Sequence, residues 1–136
     1  MPISYHGTSR NHAAYMAQGN ISVAPGRGEF GQGFYTQHSS GNAMRWAAGR
    51  SPNPAVLVVD IPAQDYVNLH RVFFSLKAAR SLNRRLRNRN ETASYRHGCD
   101  VIEGPLVSNP QIQQYKFESK VAENLLNGPV TTRTVI

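Results

Sequence analysis

Apolar residues fall in short bursts along the chain, and their spacing switches repeatedly between that of a strand and that of a helix. Residues 3–6 read as a short strand. Residues 11–18, with Ala13, Ala14, Met16 and Ala17, predict a short helix stopped by Gly19-Asn20. Residues 21–23 predict another short strand. Four glycines then fall between 25 and 33, which marks a loop whose backbone needs conformational freedom or close approach. Ser39 or Ser40 caps a helix carrying Ala43, Met44, Trp46 and Ala47, and Gly49 ends it. Residues 55–61 are apolar on both faces and predict a central strand.

In the second half, residues 73–89 predict an amphipathic helix. Phe73, Leu76, Ala79, Leu82 and Leu86 line one side, and Lys77, Arg80, Arg84 and Arg87 line another. Residues 99–103 predict a strand ended by Gly104-Pro105, and residues 113–117 predict another. A last helix starts near Ser119, buries Val121, Ala122, Leu125 and Leu126, and stops at Gly128. The elements intermix without a βαβ rhythm. They predict an α+β fold with a mostly antiparallel, split sheet and short flanking helices.

Composition narrows this picture. At 136 residues and 15.1 kDa, with 40% hydrophobic residues, the chain is expected to form one domain, residues 1–136, around one core. The lone Cys99 excludes an internal disulfide and lacks the partners of a structural zinc site; it reads as a small core residue. No apolar run is long enough for a membrane span, and no signal-peptide start is encoded, so export is expected through a larger carrier or dedicated machinery. Charge is uneven. Eight basic residues between Arg71 and Arg96 face one acid, Glu91, so this segment accounts for the whole net charge of +7.

Three segments carry candidate chemistry. Tyr5-His6-Gly7-Thr8 is read as ending the first strand and entering a turn, where an imidazole and an unhindered main chain suit a ribose hydroxyl and a carboxamide. On its own, a capped turn with a surface histidine accounts for it better. Gly31-Gln32-Gly33-Phe34-Tyr35 places an aromatic platform after a glycine loop, although on its own a structural hairpin explains it better. It is neither a dinucleotide fingerprint, lacking the third glycine and the distal acid, nor a Walker loop. In the strand at 113–118, Gln114, Lys116 and Glu118 share one face, which is expected to meet solvent or a ligand. The five histidines have no ligand spacing, and no nucleophile elbow is present, so no metal is expected.

Order adds what the single motifs lack. His-Gly-Thr, then Gly-x-Gly-Phe-Tyr, Ala-x-x-Trp-Ala, Asp-Val-Ile-x-Gly-Pro and Gln-Tyr-x-Phe follow one another along residues 3–127. This order resembles the His-Tyr-Glu class of ADP-ribosyltransferases, the group containing diphtheria toxin and the poly(ADP-ribose) polymerases. It is closest to the compact toxin branch found at the ends of secreted bacterial effectors such as Rhs-type proteins. The resemblance implies an ADP-ribosyltransferase-like split antiparallel sheet and NAD as co-substrate. It implies that His6 hydrogen-bonds the adenosine ribose, that Gly7 main-chain atoms hold the nicotinamide carboxamide, and that Thr8 supports the turn. Gly33 and Phe34 line the cofactor, and Tyr35 stacks on nicotinamide. The third position, usually glutamate, falls on Gln114, with Glu118 two strand positions on as the alternative carboxylate. Glutamine cannot act as a base, which favours transfer of a single unit. The branch also implies a secreted effector that acts in the target-cell cytoplasm.

The acceptor is read from the basic segment. Lys77, Arg80, Arg84, Arg85, Arg87 and Arg89, with aromatics nearby, suit a phosphate backbone, and a structured RNA is favoured over a protein side chain. An acidic immunity protein would fit the same stripe. An RNA 2′-phosphotransferase is a rival enzyme, opposed by Gln114 where a basic residue is needed. A non-catalytic nucleic-acid-binding module is the rival outside enzymes.

Overall fold

A computed structural model describes residues 3–136, and the chain is α+β. It divides into two compact units, one holding residues 3–21, 36–68 and 124–136 and the other residues 22–35 and 69–123.

The first unit holds β1 (Ile3–Ser9), α1 (Arg10–Ala17), α2 (Ser40–Ala48), β3 (Pro54–Asp60), α3 (Ala63–Val67) and β7 (Thr132–Val135), together with the end of β2 (Phe34–Gln37). Its strands lie in the order β2-β1-β3-β7, and every pairing is antiparallel. The doubly apolar segment predicted as a central strand is β3, paired on both sides, with Ala55, Val56, Leu57 and Val59 buried. Ser9 caps α1 by accepting from His12 N–H (3.3 Å). Ser39, not Ser40, caps α2 by accepting from Asn42 N–H (3.1 Å).

The first strand is longer than expected, and this moves one motif. β1 pairs with β3 from Ile3↔Asp60 to Ser9↔Pro54, so Tyr5-His6-Gly7-Thr8 lies within the strand instead of entering a turn. Gly7 is needed there because α2 crosses the strand closely: a Cβ would overlap the carbonyl oxygen of Ala43. Gly7→Ala is expected to destabilise the fold by about 1–3 kcal/mol through overpacking, read as a lower urea midpoint at unchanged slope.

Residues 21–23 form no strand. Asn127 occupies the Ile21 main chain, accepting from its N–H (2.8 Å) and donating to its carbonyl (2.7 Å). Side chains thus supply the hydrogen bonds that a neighbouring strand would otherwise provide.

The second unit contains β4 (Arg71–Phe73), α4 (Leu76–Asn88), β5 (Val101–Pro105) and β6 (Gln113–Phe117), with the glycine loop of residues 22–33. β5 pairs antiparallel with β6 but parallel with β4, and α4 makes the crossover. The elements read as intermixing without a βαβ rhythm, and the βαβ unit present here escapes that reading because β4 has three residues, too few for periodicity to announce a strand. It takes Phe73 out of the predicted helix and leaves it 62% exposed. Pro105 does not lie beyond β5 either, since it pairs with Gln113 as the last strand residue.

Phe30, Ala79, Leu82, Leu86, Cys99 and Ile102 form the core here, and Phe30 meets Phe74 edge-on at 5.5 Å. The chain passes between the units four times, twice inside an element: within β2 and within α5 (Lys120–Asn127). In α5, Ala122 and Leu126 are buried, whereas Val121 is exposed and Leu125 half-buried. The inward row is the i, i+4 pair Ala122–Leu126; Val121 sits on the adjacent row, outside the apolar stripe.

Candidate functional site

The second unit gathers most of the chain's polar constellations, and the glycine loop organises them. Tyr35, at the start of β2, reaches back over the loop. Its hydroxyl donates to Gly31 O (2.6 Å) and accepts from Phe30 N–H (3.0 Å). Burial, followed by the charges of Glu29 and Glu118, pushes its pKa up, so the hydroxyl stays protonated and fastens the loop. Gln32 ties the other side, donating to Ala24 O (2.6 Å) and accepting from Arg96 Nε (2.8 Å). Gly33 allows β6 to come close, since a Cβ would overlap Lys116 Cδ.

Between this loop and β6 runs a side-chain contact, Glu29 with Gln114, that the sequence did not announce. Glu29 Oε1 accepts from Gln114 Nε2 (3.0 Å) and from Val107 N–H (2.6 Å), and Oε2 accepts from Ser108 N–H (3.1 Å). Gln114 is 5% exposed. One signal was legible: Glu29 is the only acid before Asp60, and it lies inside the glycine loop.

The polar face of β6 is buried, contrary to expectation. Gln114, Lys116 and Glu118 are all enclosed, and Lys116 Nζ hydrogen-bonds and ion-pairs with Glu118. Glu118 also accepts from the N–H groups of His97 (3.0 Å), Gly98 (2.7 Å) and Cys99 (3.4 Å). Burial alone would raise its pKa, but the bonds from Lys116 and His97 N–H outweigh that and hold the carboxyl below the usual range. Burial pushes the Lys116 ammonium down, against the opposing pull of Glu118. Both oxygens of Glu118 are committed within the fold, so this carboxylate is structural. Internal partners, not solvent, allow Lys116 and Glu118 to sit inside, and Gln114 is held there through its NH₂ group by Glu29. Cys99 lies in the core as expected, and burial with the nearby Glu118 pushes its thiol up to about 11.

The other residues singled out in the sequence fall as follows. His6 and Thr8 are half-buried on β1 of the first unit, opposite Leu57 and Ala55 of β3, and Gly7 is buried there. Phe34 is buried in the second unit, its ring 6.5 Å from that of Phe117. No group of three or more potential metal ligands occurs among the described residues.

On α4 the predicted division of faces holds: Ala79, Leu82 and Leu86 are buried, while Lys77, Arg80, Arg84, Arg85, Arg87 and Arg89 are exposed. Lys77, Arg80, Arg84 and Arg87 form one stripe spanning about 15 Å. None of these six pairs with an acid among the described residues, whereas Arg71 is taken up by Glu103 (3.7 Å). Arg85 lies over the Tyr95 ring at 5.5 Å. Arg80, Asn83, Arg84, Arg87, Asn88 and Val107 line an open groove of about 540 Å³, and the Val107 N–H donates to Glu29.

Compared with known protein families and with curated proteins, the chain matches none.

Proposed function

We propose that this chain is an NAD-dependent mono-ADP-ribosyltransferase with the split-sheet fold of that class, acting as a secreted bacterial effector. The observation that carries the reading is the joining of Gln114 to the Tyr35-fastened glycine loop through Glu29. It places an amide, an aromatic ring and a rigid loop in one compact unit, in agreement with the order of motifs along the chain. His6, Gly7 and Thr8 keep the ribose- and carboxamide-binding roles that the resemblance assigns. Gly33 and Phe34 shape the loop's exit, and Tyr35 offers its ring to nicotinamide. Gln114 accepts a hydrogen bond from a ribose hydroxyl.

In the reaction, the bond from ribose C1 to the nicotinamide nitrogen breaks and its electron pair leaves with neutral nicotinamide. An acceptor oxygen or nitrogen forms the new bond to C1 and releases its proton to water. Holding NAD bent and the cationic sugar shielded supplies the rate. The basic stripe of α4 favours a structured RNA as the acceptor. The same stripe would serve a non-catalytic nucleic-acid-binding module, and an acidic immunity protein would dock there.

The purified chain is expected to release nicotinamide from NAD and to label an acceptor in lysate. His6→Ala and Tyr35→Ala should each cut release by at least about tenfold while remaining folded. Full activity in both variants would sink the proposal. Label removed by RNase but not protease identifies RNA as the acceptor, and the converse identifies protein.

A further inference from the structure

Resting on the transferase reading above, we infer that Glu29 is the positioning residue that turns Gln114 towards its substrate, and that Glu29 is the reason position 114 carries an amide. The Glu29 carboxylate takes three hydrogen bonds, two from the consecutive main-chain N–H groups of Val107 and Ser108 and one from Gln114. The main-chain pair fixes the carboxylate in place. A carboxylate held in this way accepts on both oxygens, so Gln114 faces it with its NH₂ end. The amide carbonyl is thereby turned away from Glu29. An acceptor inside a side chain only 5% exposed is what a ribose hydroxyl needs in order to be held in one orientation.

The same contact forbids a glutamate. Gln114 Nε2 stands 3.0 Å from Glu29 Oε1, and two carboxylates at that separation do not both stay ionised near neutral pH. With Glu29 in the loop, the neutral amide is the group that fits. The carboxylate has moved one layer out, where it orients the acceptor without touching the sugar.

The test is a variant cycle on the full chain, read by nicotinamide release from NAD and by thermal unfolding. Glu29→Gln is expected to lower kcat about tenfold with KM for NAD within about twofold, because the amide loses its fixed orientation and NAD keeps its other contacts. Gln114→Glu is expected to lose more than tenfold activity and to unfold at a lower temperature. The double variant Glu29→Gln/Gln114→Glu, which removes the carboxylate pair, should regain at least about tenfold over Gln114→Glu alone. A Gln114→Glu enzyme as active as wild type, or a Glu29→Gln enzyme with unchanged kcat, overturns the inference. So does a double variant no more active and no more stable than Gln114→Glu. Absence of nicotinamide release by the wild-type chain overturns the transferase reading and the role of Glu29 with it; release with independent effects at 29 and 114 overturns the role of Glu29 alone.

Discussion

Glu118→Ala is expected to destabilise the protein by about 3–5 kcal/mol, lowering Tm by roughly 10–20 °C. The variant leaves the Lys116 ammonium, which is wholly buried, without its partner. It also strips the acceptor from three consecutive N–H groups at His97, Gly98 and Cys99. Breaking a buried pair is far more damaging than removing it. Lys116→Met/Glu118→Gln, which discharges both residues and leaves an acceptor for the 97–99 turn, should therefore recover most of the loss. The sign with pH follows from the depressed carboxyl. Its contribution is fully present above the ordinary glutamate value and is lost as pH falls through the lower folded value. Urea midpoints should drop for wild type below about pH 4, and Glu118→Ala should lack that part of the drop. Equal midpoints for wild type and Glu118→Ala at neutral pH would refute the account.

The second large effect lies on α4. Replacing Lys77, Arg80, Arg84 and Arg87 together by glutamine is expected to weaken binding of a structured RNA roughly a hundredfold at about 0.2 M salt. These four side chains are exposed, stand on one stripe, and pair with no acid among the described residues. If each meets one phosphate, removing all four makes the slope of log affinity against log salt shallower by about 3. Glutamine keeps helix propensity, and the buried face of Ala79, Leu82 and Leu86 is untouched, so thermal stability should hold. Fluorescence anisotropy with a labelled hairpin across a salt series reads both quantities. An unchanged slope would remove α4 from the interface.

The sequence was a good guide wherever one residue's period or chemistry fixed its local state. Amphipathic spacing found α4 with its cationic face, doubly apolar spacing found β3 as a central strand, and a hydroxyl before a helical run narrowed the cap of α2 to Ser39 or Ser40, of which the structure uses Ser39. It also found Gln113–Phe117 as a strand, where polar residues alternate with aromatic ones from Gln114 to Glu118. It failed on elements defined by partners. Three-residue β4 has no readable period and exists because β5 lies beside it. Residues 21–23 have strand-like composition, yet Asn127 takes the Ile21 main chain.

For the candidate site the division is similar. The order of motifs was enough to select His6, Gly7, Tyr35 and Gln114 and to identify Glu118 as an alternative. The sequence could not tell that Glu118 is spent on Lys116 and three main-chain N–H groups, because burial of a charge depends on partners far from it along the chain. Nor could it join Glu29 to Gln114 across 85 positions. By itself, then, the sequence determined the longer helices and strands, where the positive charge lies, and which residue types are on offer for chemistry. These follow from local spacing and composition. Only the tertiary structure decided which carboxylate is structural and which one orients the amide, since that depends on hydrogen bonds closed between distant segments.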